Sequence, residues 1–218
     1  MQALKPDPGR RALRRRGWGA SAGLAAALLL LLQAGCSTPP PARWHSLLPA
    51  AAAPADAAAQ ALPALAISLA PVRVPLQVDQ PQWLVRRPDQ SLALLEHERW
   101  ASPLRDELRA ALRDRLAHRW AVLDAPAAAW RVEVELLRFE SAPGQLAWLE
   151  ARWTLTPARA GNAAPAAAIS CQSTLREAVA DGALALADGH RRAVQRLADL
   201  LGQQLQTGPG ACPPSAAR

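Results

Sequence analysis

One stretch of the chain decides the fold: WRVEVELLRFESAPGQLAWLEARWTL, residues 130–155. In residues 130–136 apolar side chains alternate with charged ones, which predicts a half-buried strand. The apolar phase changes at Leu137, which indicates a β-bulge that switches the buried face. Pro143-Gly144 predicts a turn, and the alternation returns in residues 147–155. The stretch therefore predicts two antiparallel strands with one face in the core.

Three more strands and a helix are predicted before this pair. The strands are Ala66–Pro75, Gln82–Arg86 and Leu92–Leu95. Ser102 as N-cap and Pro103 as the first helical residue predict the start of a helix that ends near Arg119. Arginines and acids are interspersed over residues 105–115, which is typical of a solvated helix face with i, i+4 ion pairs.

A strand and a helix are predicted after the pair. The strand spans Ile169–Leu175, and the helix covers about Asp188–Gln206, because Gly189 disfavours an earlier start. The order of the elements predicts an α+β domain over residues 64–207, followed by a C-terminal tail, residues 208–218. We expect a single mixed, mainly antiparallel sheet with two main helices packed on it.

The N-terminus predicts an export signal over residues 1–35. A basic block, residues 10–16, precedes a short apolar stretch, as in secretory signals. Gln33-Ala34-Gly35-Cys36 then resembles a lipobox, although Gln33 stands where the leucine of a lipobox is usual. We expect signal peptidase II to cut before Cys36, lipid to be joined to its thiol, and the new amine to be acylated. The alternative is an ordinary signal peptide cut near the same place; a twin-arginine signal is a minor alternative.

The formal net charge of +7 is mostly a property of this signal. Residues 1–35 contain six of the 25 Lys and Arg residues and one of the 18 acids, so residues 36–218 carry 19 Arg against 17 acids. The arginines of the mature chain are spread among acids, whereas a nucleic-acid-binding protein clusters them on one element or face. We therefore expect no nucleic acid among the partners.

Residues 36–63 are predicted to be a linker attached to the lipid. Pro39-Pro40-Pro41 and the Ala/Pro-rich stretch Pro49–Pro63 enclose a short Trp-containing segment, Arg43–Leu48. The Ala/Pro-rich composition offers little apolar surface to bury and is typical of a spacer. We expect this linker to let the domain stand away from the membrane.

Three segments of the mature chain carry a family resemblance. They are Trp44–Pro49; residues 72–85 with Asp79-Gln80-Pro81-Gln82; and Glu98–Leu104 with Arg99-Trp100-Ala101-Ser102-Pro103-Leu104. In this order and spacing they resemble the PqiC-type auxiliary lipoproteins of ABC-type intermembrane transport systems, with Gln80 where the family has Arg. The resemblance covers about the first half of the mature chain, and the second half matches only in its pattern of strands and helix.

This resemblance implies a location and a task. It implies a periplasmic domain anchored in the outer membrane, and Ser37 after the cysteine favours that membrane because Asp there retains such lipoproteins in the inner one. The implied partners are an MCE-domain periplasmic protein and an inner-membrane component, and the implied task is to dock this lipid transporter. A homo-oligomer would suit a hollow conduit, although no residue indicates one. The alternative is a solitary envelope lipoprotein, structural or an assembly factor.

Six motif residues are candidates for a partner interface: Asp79, Pro81, Gln82, Arg99, Trp100 and Pro103. A structural role is the alternative. Asp79 and Pro81 suit a turn, and Trp100 before the helix could pack on Leu104 as a hydrophobic staple. For Arg99 the structural expectation is a local ion pair, the nearby acids being Glu96, Glu98 and Asp106.

The sequence favours a protein without catalytic activity, cofactor or metal. No His-x-x-x-His or Cys-x-x-Cys motif joins the scattered histidines, His45, His97, His118 and His190. Glu96-His97-Glu98 is predicted to be a solvated cluster, because on a strand the histidine points away from both acids. Neither a nucleophile elbow nor a phosphate-binding loop is present.

Two cysteines remain after Cys36, and the periplasm permits disulfides. We expect Cys171 and Cys212 to pair, which would tie the tail to the last strand. The alternative is two free thiols, with Cys171 buried as a small apolar residue.

Overall fold

The structure is a computed structural model that describes residues 40–49, 65–124, 128–158 and 167–214. The elements described below belong to one compact unit, Pro41–Arg218. The predicted signal peptide, Cys36 and most of the predicted linker lie outside the described residues.

The described part of the chain contains eight strands and two helices, which confirms the predicted α+β class. The strands are β1 (Arg43–His45), β2 (Ala66–Leu69), β3 (Gln82–Arg86), β4 (Leu92–Trp100), β5 (Ala121–Leu123), β6 (Trp130–Ala142), β7 (Leu146–Pro157) and β8 (Ile169–Ala178). The helices are α1 (Leu104–Ala117) and α2 (Ala183–Thr207). A small sheet has the order β1-β4-β3 and a large sheet the order β5-β2-β6-β7-β8.

The expectation of one sheet is wrong, because the chain leaves the large sheet after β2. The predicted strand Ala66–Pro75 ends at Leu69, and Pro71 and Pro75 have no N–H with which to continue a ladder. Between the prolines, Arg73 makes only an isolated parallel bridge to β6. A short 3-10 helix, Leu76–Val78, then leads into β3, which pairs with β4 in the small sheet.

The predicted antiparallel pair is confirmed as β6 and β7. Its register shifts between Leu136 and Arg138, which is the predicted bulge. Gly144 lies in the connecting turn with a φ of 69°, a conformation that favours glycine. β8 pairs antiparallel with β7, and β2 lies parallel between β5 and β6. The face toward the core carries fully buried side chains, among them Val132, Leu149, Ala151 and Leu155.

A disulfide joins Cys171 of β8 to Cys212, with the Cα atoms 5.7 Å apart. The two cysteines are 41 residues apart in the sequence, so the bond closes a loop that contains α2. In the chain-entropy model, such a loop stabilises the folded state by about 4 kcal/mol. The disulfide therefore holds the segment after α2 against the edge strand of the large sheet.

Helix α1 begins at Leu104, with Pro103 in the N-cap position predicted for Ser102. The carbonyl of Pro103 accepts the first helical hydrogen bonds, from the N–H groups of Asp106 (2.8 Å) and Glu107 (3.1 Å). Ser102 does not cap the helix backbone, because its hydroxyl donates instead to the Glu107 carboxylate at 2.9 Å.

The arginines of α1 pair with acids on other elements and do not form the i, i+4 pairs expected from the sequence. The pairs are Arg105–Asp79, Arg109–Asp124, Arg113–Asp124 and Arg115–Asp199. Such exposed pairs contribute at most about 1 kcal/mol each. They orient α1 on its neighbours more than they stabilise it.

Helix α2 starts at Ala183, five residues before the predicted start. Gly189 lies inside it and is buried, because the helix packs closely on the large sheet. A Cβ atom at Gly189 would lie 2.4 Å from a methyl carbon of Val179 and 3.0 Å from the Cβ of Ala147. The residue that argues against a helix in the sequence is therefore the one that lets this helix approach β7.

We expect Gly189→Ala to destabilise the protein, although alanine is the better helix former by about 1 kcal/mol. The added methyl group has no room, and overpacking in a core typically costs about 1–3 kcal/mol. Urea denaturation followed by circular dichroism measures the change, with the exposed Gln203→Ala in the same helix as control. Stabilisation of the Gly189→Ala protein would contradict the close packing.

Candidate functional site

The three family-like segments meet in the small sheet. β1 lies parallel to β4, with Trp44 opposite Arg99 and His45 opposite Trp100. β3 pairs with the other edge of β4, where Gln82 also lies opposite Arg99. β4 continues to Trp100, beyond the predicted end at Leu95, so it forms the centre of this arrangement.

Residues 43–49, predicted to be part of the linker, belong to the folded unit. β1 is a strand of the small sheet, the N–H of Ala101 donates to the carbonyl of His45 at 2.8 Å, and the side chain of Leu47 is buried in the core. The Ala/Pro-rich stretch therefore connects β1 to β2 in the sequence. The prediction that this stretch separates the domain from Cys36 is therefore wrong.

The carboxylate of Glu98 in β4 binds two side chains of β1. It is buried, it accepts a hydrogen bond from Arg43, and its second oxygen lies 2.6 Å from Nε2 of His45. Burial alone would raise the pKa of Glu98, but the hydrogen bonds from Arg43 and His45 outweigh it, so the pKa lies below its ordinary value. The prediction that this acid is solvated is therefore wrong.

The reason for that error is an irregularity in the pairing of β3 with β4. The register shifts between Gln82 and Trp83, so the strict alternation of β4 is interrupted. Leu95 and Trp100 both pack against the core, although strict alternation would place residues five apart on opposite faces. Glu98 and Trp100, two residues apart, therefore both point toward the core.

A second buried carboxylate, Glu107 in the first turns of α1, binds the segment that follows β1. One oxygen accepts hydrogen bonds from the hydroxyl of Ser46 (2.7 Å) and the N–H of Leu47 (2.9 Å), and the other accepts from Ser102. Arg191 of α2 donates to the carbonyl of Ser46 at 3.1 Å. The chain from Ser46 to Leu47 is thus held by both helices.

Neither buried acid was among the candidate residues, although Glu107 carries a signal in the sequence. It falls on the helical stripe that contains Leu104, Leu108 and Ala111, where an apolar residue is expected. An acid on an apolar stripe is buried only when donors reach it. Ser102 is a local donor, but the other two donors come from residues 46–47, about 60 positions away, and nothing local indicates them.

An aromatic row lies under the small sheet and continues to α2. Trp83 stacks on Trp100 with ring centroids 4.3 Å apart, Trp100 meets Phe139 edge-on, and Phe139 stacks on His190 at 3.9 Å. Trp100 is therefore a packing residue. His190 is fully buried and its Nε2 lies 2.8 Å from the hydroxyl of Ser141; desolvation lowers the pKa of His190 to about 3.

The other motif residues surround this row. Asp79 ends the 3-10 helix and pairs with Arg105, and the carbonyl of Pro81 accepts from the N–H of Trp100 at 3.0 Å. Pro81 and Pro103 are exposed, while Gln82 is half-buried. The structure thus gives structural roles to Asp79, Pro81, Trp100 and Pro103.

Arg99 does not form the expected local ion pair. Within the described ranges it takes part in no ion pair, and its Nε is buried without a hydrogen-bond partner. Its guanidinium lies over the ring of Trp44, 5.9 Å from the centroid. The nearby acid Glu98 is taken by Arg43 and His45.

Clefts near this site are small. A cleft of about 90 Å³ beside Leu47 and Pro49 is bordered by Asp114, Arg115 and Arg191. Pockets that enclose small molecules usually measure roughly 300–1,000 Å³. Among the described residues, no three His, Cys, Asp or Glu side chains are grouped to hold a metal ion, and no helix is both long and apolar enough to cross a bilayer.

We expect Glu107→Ala to loosen residues 46–48, because the buried N–H of Leu47 would lose its acceptor. An unsatisfied buried donor costs about 1–3 kcal/mol. Amide hydrogen exchange of residues 46–48 and urea denaturation measure the effect. Glu107→Gln keeps a carbonyl oxygen and should show a smaller change, and the exposed Asp114→Ala serves as control. Exchange at the wild-type rate in Glu107→Ala would contradict the proposed role.

We expect stability to fall as the pH is lowered from about 6.5 to 5 because of His190. The unfolded state binds a proton near pH 6.5, whereas the folded state does so only near its pKa of about 3. Proton uptake therefore favours unfolding, by up to about 1.4 kcal/mol per pH unit. Denaturation at several pH values should give a flatter dependence for His190→Gln than for the exposed control His118→Gln. Equal slopes would show that His190 does not cause the dependence.

Two solved structures are similar to this chain in fold. A crystal structure of an uncharacterised protein has a TM-score of 0.59 at 15% identity, covering 76% of this chain and 99% of that chain. A DUF330-family protein from Xanthomonas campestris has a TM-score of 0.51 at 21% identity, covering 68% of this chain and 89% of that chain. At such identities the likeness shows the fold alone.

Curated protein sequences give no match. The family described as the ABC-type transport auxiliary lipoprotein component matches residues 46–201. That range begins within the segment held by Glu107 and runs into the last helix, so it covers the large sheet, β3 and β4 of the small sheet, and most of the described chain. The resemblance predicted from the three motif segments is confirmed, and the chain belongs to the family of ABC-type transport auxiliary lipoprotein components.

Proposed function

We propose that this chain is a non-catalytic accessory of an MCE-type intermembrane lipid transport system and docks the periplasmic transporter at the outer membrane. The family match over residues 46–201 to an auxiliary lipoprotein of ABC-type transport carries the proposal. In it, residues 1–35 are removed on export and lipid is attached to Cys36. The partners are an MCE-domain periplasmic protein and an inner-membrane component.

The anchor is supported by Gln33-Ala34-Gly35-Cys36 after an apolar stretch. A thioether-linked diacylglycerol and an acylated amine supply three chains, more than the two signals that stable membrane attachment needs. Ser37 in place of Asp supports the outer membrane.

Binding through a surface, without catalysis, is supported by the chemistry of the described residues. The cleft beside Leu47 is too small to enclose a lipid. Ser141 and His190 form a hydroxyl–imidazole pair, but both are buried and Nδ1 of His190 has no partner that would orient it as a general base. The lowered pKa of His190 results from its burial in the core and does not indicate a catalytic role.

A docking surface is supported by the turn at Leu76–Val78. A lone exposed leucine is ordinary, but Leu76 is 91% exposed on a turn that is held in place. The N–H of Asp79 donates to the carbonyl of Leu76, and the Asp79 carboxylate pairs with Arg105 of α1. The turn belongs to a family-like segment, so we place the transporter contact here.

Affinity purification of the tagged, membrane-extracted protein after mild cross-linking tests the proposal. We expect mass spectrometry to find an acylated Cys36 peptide and a co-purifying MCE-domain protein. Cys36→Ala should abolish acylation and membrane retention. Leu76→Asp should reduce recovery of the partner without changing stability, since the side chain packs on nothing.

Leu184→Asp is the matched control, because Leu184 is also a highly exposed leucine, 74%, but lies outside the family-like segments. An acylated protein without an MCE-domain partner would reject the transport role and leave the solitary envelope lipoprotein. Equal partner recovery with Leu76→Asp and Leu184→Asp would reject the turn as the contact.

A further inference from the structure

We propose that the outer face of the small sheet at β1 lies against the phospholipid surface that holds the lipid anchor, with Trp44 at the level of the headgroups. This inference rests on the proposed lipidation of Cys36. It reverses the expectation from the sequence, in which a long linker holds the domain away from the membrane.

The first support is the length of the tether. Because β1 is part of the folded unit, the tether ends at Arg43, the seventh residue after Cys36. Seven residues span at most about 25 Å when fully extended. A globular domain of about 180 residues is roughly 40 Å across. The β1 edge of the domain is therefore kept within about 25 Å of the membrane, less than the width of the domain, which favours an orientation with β1 toward the lipid.

The second support is what β1 exposes at this edge. Trp44 is 59% exposed, whereas its neighbour His45 is buried, so the indole faces outward from an edge strand. Tryptophan has an apolar ring and one N–H donor, and it is enriched where membrane meets water. A tryptophan in this position would otherwise leave a large apolar surface in water.

The third support is the charge beside the indole. Arg99 lies over the Trp44 ring, takes part in no ion pair within the described ranges, and has a buried Nε without a partner. A guanidinium binds phosphate through several N–H groups in a planar fork. The anionic phosphate of a phospholipid would supply the counter-charge that no acid of the described ranges gives this guanidinium.

The apolar surface continues along the same sheet. Leu92 and Leu94 of β4 are each about half exposed, and Leu94 lies opposite Leu84 of β3. Gln82 and Leu84 occupy alternate positions of β3, outward of the buried Trp83 and Val85. The outer face thus offers apolar side chains to a flat partner.

Tryptophan fluorescence of the mature, lipidated protein in vesicles tests this inference. The vesicles contain phosphatidylethanolamine and phosphatidylglycerol, with or without bromine near the top of the acyl chains. We expect brominated lipid to quench the wild-type protein and Trp44→Phe to lose most of this quenching. Trp148→Phe should retain it, because Trp148 lies on the large sheet between Arg138 and Arg176.

Three outcomes would overturn the inference, and they are distinguishable. Equal quenching of wild type and Trp44→Phe in a protein with acylated Cys36 would reject the membrane contact and leave the proposed anchor intact. Protection of Trp44 from acrylamide that depends on protein density, without quenching by brominated lipid, would identify a second copy of the chain as the occupant. An unmodified Cys36 would remove the tether and reject the anchor as well.

Discussion

The buried carboxylate of Glu107 is the constraint on which the arrangement of the N-terminal half depends. Three donors converge on it, from Ser46, Leu47 and Ser102, so it joins the segment after β1 to the start of α1. A buried acid on an apolar stripe is tolerable only with such donors. This requirement makes the position of β1 specific, because any other placement would leave the oxygen that binds Ser46 and Leu47 buried without a donor.

This attachment shortens the segment that links Cys36 to the folded domain. With β1 free, the whole stretch from Cys36 to Pro63 would be a spacer. With β1 held by Glu98 and Glu107, only the residues before Arg43 remain as a tether. A short tether sets orientation as well as distance. In the proposed docking role, such a tether would fix one face toward the membrane and leave the rest of the surface for a partner.

The core follows from patterns that are local in the sequence. β6 and β7, their bulge and their turn are confirmed because alternation, phase change and Pro-Gly each act within a few residues. The sequence-based predictions are wrong where the role of a residue depends on a contact with a residue distant in the sequence. Gly189 disfavours a helix by its intrinsic propensity, but the absence of a Cβ atom lets α2 pack on Ala147 and Val179. Ser102 reads as an N-cap, but its hydroxyl is drawn to Glu107. Pro71 and Pro75 follow the end of β2 at Leu69 and cannot donate to a continued ladder, although the β-branched residues around them favour a strand.

The sequence by itself determined the α+β class, most of the regular elements, and the family, through motifs whose order and spacing are one-dimensional properties. Only the tertiary structure decided the roles of individual residues: Trp100 packs on Trp83, Arg99 has no ion-pair partner within the described ranges, and Glu98 and Glu107 attach β1 and the residues after it. The physical reason is that burial and hydrogen-bond partners are set by side chains some 50 to 60 residues away, and a single sequence records no such distances.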